Sequence, residues 1–238
     1  MRLLVSVVSA DEARRALAGG ADIIDVKDPG EGALGAPSPR VLSEVVREVG
    51  GAKPVSVALG DLPNLPHTAA LAARGAALTG ADYVKVGLRG VRELERAVAF
   101  VRAVADAVAT QAAVIAAAYA DAQALVPPAL DPAWLPELAE RAALSGVLVD
   151  TFSKDGRGLY HWLPESELAD LIVRTRSAGA SFGVAGQLSL GELRRVPADV
   201  VGVRSAVCRD GDRAAELDAE LVTAAVTELR AGRVVSRG

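Results

Sequence analysis

Eight short runs of β-branched and small apolar residues recur along the chain, separated by segments with helical spacing. The runs are Leu3–Val7, Asp22–Lys27, Pro54–Leu59, Asp82–Gly87, Ala113–Ala118, Gly146–Asp150, Ser181–Ala185 and Asp199–Arg204. Strands alternating with helices in a chain of 238 residues predict an α/β protein, a (β/α)8 TIM barrel. A doubly wound open sheet is the alternative. No Gly-x-Gly-x-x-Gly follows the first run, which counts against a dinucleotide-binding sheet. There is no low-complexity linker and no break in composition, so residues 1–238 are expected to form one domain.

Helix signals fall where the alternation requires them. Ser9-Ala10-Asp11-Glu12 and Ser189-Leu190-Gly191-Glu192 read as capping boxes. Ser38-Pro39 gives an N-cap followed by proline, and Asp131-Pro132 opens another helix. Val41, Leu42, Val45, Val46 and Val49 trace one apolar face, as do Leu94, Val98, Val101, Ala105 and Val108. A last helix is expected from about Asp212 to Ala231. Aromatic residues are only 3% of the chain, so the core must be built from Ala, Val and Leu.

Several function classes are disfavoured. The net charge is −4 and no basic stripe appears, which argues against nucleic acid as a partner. No apolar run is long enough to span a bilayer and no signal-peptide pattern is present, so no membrane partner is expected and the cytoplasm is the expected compartment. The single cysteine, Cys208, excludes an internal disulfide framework. His67 and His161 are scattered, so no metal is expected at a zinc-type site; a carboxylate-bound Mg²⁺ on Asp25, Asp28, Asp61 and Asp150 stays open. No cofactor is implied.

Two lysines carry the chemistry. Lys27 ends Asp25-Val26-Lys27 and Lys85 lies in Tyr83-Val84-Lys85-Val86-Gly87, each inside an apolar run where a charge is costly. A strand-end lysine can snorkel or pair with Asp25, but burial also yields a neutral amine, a nucleophile toward carbonyls. In a barrel, alternate strands fill one interior layer, which would gather Lys27, Lys85, Asp150 and Arg204 at the C-terminal ends of strands two, four, six and eight. Asp25 and Asp150 then either shuttle protons or neutralise the lysines.

Phosphate is expected at the loops after strands seven and eight. Gly186 lies in the first, Gly202, Arg204 and Ser205 in the second, with Arg209 and Arg213 as further candidates. Lys154 follows strand six and either binds phosphate or is a solvated loop lysine. Asp61, in the proline-rich stretch Gly60–Pro66, is either part of a substrate wall or of a plain connector. The residues alone leave open a class I aldolase-type lyase on triose or pentose phosphates and a non-catalytic phosphometabolite-binding barrel.

A resemblance narrows this. Leu3-Leu4-Val5-Ser6, Gly19-Gly20-Ala21-Asp22-Ile23-Ile24-Asp25-Val26-Lys27, Gly32-Ala33-Leu34-Gly35-Ala36, Gly80-Ala81-Asp82-Tyr83-Val84-Lys85-Val86-Gly87-Leu88, Leu148-Val149-Asp150-Thr151, Lys154-Asp155-Gly156, and Val201-Gly202-Val203-Arg204 with Gly211-Asp212-Arg213 carry it nearly end to end. The chain resembles the (5-formylfuran-3-yl)methyl phosphate synthase family of methanofuran and methylofuran biosynthesis. The resemblance implies a TIM barrel, class I aldolase-like lyase chemistry, and two glyceraldehyde 3-phosphate molecules giving a furan aldehyde phosphate, phosphate and water. It places the Schiff-base lysine at Lys27 and the proton acceptor at Lys85, with Asp25, Asp150 and Lys154 as polar active-site groups. A phosphorylated triose is the expected small-molecule partner, and a homo-oligomer the expected assembly.

Overall fold

The computed structural model describes residues 1–235. Eight parallel strands close into a barrel in sequence order: β1 (Arg2–Val7), β2 (Ile23–Val26), β3 (Val55–Asp61), β4 (Tyr83–Gly87), β5 (Ala113–Tyr119), β6 (Gly146–Asp150), β7 (Ser181–Val184) and β8 (Val200–Val203). The seam is β1 against β8, with Leu4 opposite Gly202 and Val5 opposite Val203. The helices between them are α1 (Ala10–Ala18), α2 (Pro39–Val49), α3 (Pro66–Thr79), α4 (Leu94–Val108), α5 (Leu135–Arg141), α6 (Leu159–Trp162), α7 (Glu165–Ser177) and α8 (Ala219–Val235).

Alternation along the strands sorts residues into two shells. Outward positions such as Leu3, Val5, Ile24, Val57, Val84, Val114, Val149, Phe182 and Val201 join the helix faces in one continuous apolar annulus. From the helices come Leu42, Val45 and Val49 of α2 and Val98, Val101 and Val104 of α4. Each such side chain contributes roughly 1.5–3 kcal/mol on burial, so this annulus holds the fold together. The inward shell is different. It contains the small clusters Leu4, Ile23, Val200 and Ala58, Ala117, Tyr119, Leu148, with polar and charged groups between them.

Helix starts follow local chemistry. Ser9 Oγ accepts from the Glu12 amide, and Ser38 Oγ from that of Val41. The Glu12 carboxylate bonds the Val8 amide rather than that of Ser9, so the first expected box is reciprocal one residue earlier. The Ser189–Glu192 box forms, but it opens 3₁₀ turns over Leu190–Arg195 where the other barrel units have an α-helix. Asp131-Pro132 likewise opens a 3₁₀ turn, Pro132–Trp134, that leads into α5.

One expected boundary is corrected. The last helix begins at Ala219, not near Asp212. A 3₁₀ turn over Arg209–Gly211 and a tight turn closed by Ala215 N–H on Asp212 O fill that stretch under an isolated bridge between Cys208 and Leu217, and the Asp218 carboxylate then takes the Glu220 amide at 2.8 Å.

Candidate active site

The C-terminal mouth of the barrel opens into a cavity of about 270 Å³. Lys27, Lys85, Asp25, Asp150, Lys154, Gly186, Gly202, Arg204 and Ser205 all line it. The layer expected from strands two, four, six and eight is therefore assembled. Asp61 is not in its wall.

Three ammonium groups meet two carboxylates there. Lys85 Nζ stands 2.7 Å from the Asp25 carboxylate, donating to Oδ2, which also accepts from Ser6 Oγ at 2.9 Å. Lys154 Nζ donates to Asp150 Oδ1 at 2.8 Å and to Thr151 O at 2.5 Å. The Thr151 amide completes the Asp150 site at 2.7 Å. Burial alone would raise the Asp150 carboxyl, but Lys154 and Lys27 outweigh it and hold the group below its ordinary value.

Lys27 is the unpaired member. Its backbone amide donates to Val7 O at 3.1 Å, which fixes the residue one step beyond β2. Its amine has no hydrogen bond or ion pair to any described residue, and only 8% of the residue is exposed. Desolvation lowers its pKa from 10.5 to about 8. Asp150 and Asp25 oppose that shift, while Lys85 and Lys154 add to it. A lysine so placed is partly neutral near pH 7, the form that attacks carbonyl carbon.

Arg204 lines the cavity but does not offer a free fork. Nε donates to Arg213 O at 2.9 Å, and Nη1 to Ser6 O at 3.1 Å and to the Glu12 carboxylate. Nη2 donates to Glu12 Oε1 at 3.1 Å and to Ala215 O at 3.3 Å. All five donors are thus used by the protein. Arg204 ties the β8 loop to α1 and β1, so its guanidinium stands at the cavity wall with its donors engaged by the protein. The partner it prefers, Glu12, lies 192 residues away and also bonds the Val8 amide. No sequence spacing signals such a pair.

The groups that remain available are on the late loops. Among the described residues, no acceptor takes the amides of Gly186, Gln187, Ser205 or Ala206. Gly186 has φ +115, and a β-carbon there would sit 3.0 Å from the Thr151 methyl, so only glycine suits this turn. Arg213 lines the cavity too, and among the described residues its guanidinium makes a single, long 3.5 Å bond, to Gly32 O. Arg209 is exposed and lies near Glu216 instead, at 3.7 Å.

Asp61 belongs to a neighbouring network. It accepts from Tyr119 Oη at 2.8 Å and from the Arg89 amide at 3.0 Å. Burial raises the Asp61 carboxyl and pushes the Tyr119 phenol well above its ordinary value. The proline-rich stretch after it is a connector, with Asn64 bonded to Gly90 O and Arg96. Asp121, which the sequence reading passed over, is buried and takes the amides of Phe152 and Ser153 at 2.7 and 2.9 Å, fixing the loop that carries Lys154. Among the described residues, no group of three or more His, Cys, Asp or Glu is placed to hold a metal ion. The carboxylates of Asp25, Asp28, Asp61 and Asp150 are each engaged separately.

Known proteins bear on this geometry. A model of the 4-HFC-P synthase family matches residues 3–226. The (5-formylfuran-3-yl)methyl phosphate synthase of Methanosarcina mazei is 40% identical over 97% of this chain and all of its own length. That of Methanopyrus kandleri is 43% identical over 89% of this chain and 91% of its own. Among solved structures, orotidine 5'-phosphate decarboxylase from Pyrococcus horikoshii OT3 superposes with a TM-score of 0.63 at 18% identity, covering 96% of this chain and 99% of its own. Dihydrodipicolinate synthase from Bacillus clausii does so with a TM-score of 0.66 at 14% identity, covering 99% of this chain and 75% of its own. These two share the barrel and speak to fold alone. The sequence relatives go further: the chain belongs to the 4-HFC-P synthase, or (5-formylfuran-3-yl)methyl phosphate synthase, family.

Proposed function

We propose that this enzyme condenses two glyceraldehyde 3-phosphate molecules through a Lys27 imine to (5-formylfuran-3-yl)methyl phosphate, releasing inorganic phosphate and water, for a methanofuran- or methylofuran-type carrier. On this reading it is a carbon–oxygen lyase with class I aldolase-like chemistry, working in the cytoplasm without a cofactor. One observation carries the proposal. Lys27 is a buried, unpaired amine whose pKa falls to about 8, set between two ammonium–carboxylate pairs in a cavity sized for small metabolites.

The geometry supports the following course. Neutral Lys27 adds to a triose carbonyl, and the Asp150–Lys154 pair supplies and removes protons as the carbinolamine loses water. The iminium acidifies the adjacent C–H. Lys85 takes that proton, with Asp25 at 2.7 Å to receive the one it already holds. The resulting enamine attacks the second aldehyde. Loss of one phosphate, ring closure and dehydration give the aromatic furan, whose stability makes the sequence effectively irreversible, and water cleaves the imine to free the aldehyde and the Lys27 amine. The phosphate that stays is held by Lys154, Arg213 and the loop amides of Gly186, Gln187 and Ser205, with Arg204 keeping the β8 loop in place.

The test is incubation with glyceraldehyde 3-phosphate alone. A near-ultraviolet chromophore with the mass of the furan phosphate is expected, and borohydride should fix the substrate to Lys27. An ordinary aldol product, or label on another residue, overturns the reading.

A further inference from the structure

Gln187 has φ +53, in the left-handed region that an L side chain enters only at a cost. Gly186 before it has φ +115, so two consecutive residues turn the same way. Both line the cavity, as does Leu188. Among the described residues, no acceptor takes the amides of these three. Successive free amides in such a turn form an anion-binding concavity. Glycine would make the turn without cost, so a side chain at 187 has to contribute something that offsets the strain.

What it contributes lies on the β6 loop. Gln187 Oε1 accepts from the Gly156 amide at 3.1 Å. Its Nε2 donates to Arg157 O at 2.9 Å and to Ser153 O at 3.2 Å. These partners frame Lys154, whose own backbone makes no hydrogen bond among the described residues. The two loops also meet directly. The Leu159 amide donates to Gly186 O at 2.8 Å, and a β-carbon on Gly158 would lie 3.3 Å from Gln187 O. A single residue therefore offers its backbone amide to the anion concavity and its side chain to the loop that carries a cavity ammonium.

We propose that Gln187 is a positioning residue that holds the Lys154 loop against the β7-loop amides, so that Lys154 and those amides act on one phosphate group. The inference deepens the phosphate role given to these groups above and rests on it. Lys154 Nζ donates to Asp150, to Thr151 O and, at 3.2 Å, to Thr151 Oγ1. That last bond is the longest of the three, and it is the one a phosphate oxygen replaces. Without the Gln187 contacts the ammonium stays with Asp150 but its loop drifts, and a misplacement of about 1 Å is enough to forfeit such an interaction.

The test is calorimetric titration of inorganic phosphate into the whole wild-type chain and into Gln187→Gly. Glycine keeps the left-handed turn and its amide and removes only the side-chain contacts. The Kd for phosphate should rise about tenfold, the scale of one hydrogen bond to a charged group. In a Lys154→Gln background the same change should move Kd by less than about twofold. With glyceraldehyde 3-phosphate, Gln187→Gly should raise KM about tenfold and leave kcat within about twofold, because bound phosphate draws the loop back. Unchanged phosphate affinity in Gln187→Gly, an equal loss with and without Lys154, or a fall in kcat at unchanged KM overturns the coupling and leaves Gln187 a structural contact. If Lys154→Gln does not fold or binds too weakly to titrate, the split between KM and kcat decides. If Gln187→Gly does not fold, Gln187→Asn takes its place, since asparagine accepts the turn and is too short to span to the β6 loop. A wild-type chain that shows these phosphate affinities but makes no furan product loses the function assigned above and keeps the coupling; one that binds no phosphate loses the coupling.

Discussion

Lys85 and Asp25 form a buried ion pair, 2.7 Å apart, with side chains 5% and 0% exposed, on strands separated by β3. Removing one partner leaves a charge in a low-dielectric interior, which costs about 3–5 kcal/mol. Asp25→Ala should lower unfolding stability by about that much, and Lys85→Ala by a similar amount. The double variant should lose clearly less than the two added together, measured by urea denaturation as a double-mutant cycle. Additive losses would mean that the pair is not coupled.

Lys27 sets the pH dependence of imine formation. Only the neutral amine attacks, and the pKa is about 8. Single-turnover imine formation should therefore rise about tenfold per pH unit below that value and level off above it. A plateau already reached at pH 6, or a rise continuing to pH 10, would contradict the environment described for this amine.

The same amine weakens the fold. Its pKa is 10.5 when solvated and about 8 in the native chain, so the unfolded state binds more protons between those values. Unfolding free energy contributed by this group is lowest below pH 8 and recovers as pH rises toward 10.5. The full penalty is about 3 kcal/mol. Lys27→Met should abolish imine trapping while raising stability at pH 7 by about 1–3 kcal/mol, an advantage that shrinks by pH 10. A less stable Lys27→Met protein would show that the amine has a partner in solution.

The two arginines at the β8 loop should separate cleanly. Among the described residues the Arg213 guanidinium makes a single long bond, and it lines the mouth, so Arg213→Ala should leave stability nearly unchanged and raise the KM for triose phosphate about tenfold. Arg204→Ala strands the buried Glu12 carboxylate and should cost about 3–5 kcal/mol in unfolding free energy. Thermal unfolding and steady-state kinetics on both variants check the assignment.

These outcomes bear on what the sequence could reveal. The barrel was legible because outward strand positions are β-branched and inward ones are small or charged, a period-two signal that survives without any alignment. Lys27, Lys85, Asp25 and Asp150 were legible for the same reason, since a charge within an apolar run has few explanations. The buried pairing of Arg204 was not legible, because the alternation places a residue but does not say which way its head turns, and Glu12 sits at the far end of the chain. Asp61, for which a substrate wall and a plain connector were both open, is the last residue of β3. A register shift between Ala58 and Asp61 pairs it with Gly87 and brings it to Tyr119 instead. The start of α8 was displaced because a bridge and an aspartate cap, both set by tertiary contacts, decide where that helix begins.

Gly87, Ala58, Ala117, Gly183 and Gly202 occupy inward positions where bulky branched side chains usually fill the centre of such a barrel. At Gly87 even a methyl group would fall 2.0 Å from Asp61 Oδ1. Small residues in the middle of this molecule are therefore matched to inward neighbours such as Asp61 and Leu148, while most of the apolar cohesion is generated farther out. At these inner positions a larger side chain meets neighbours before it meets the cavity.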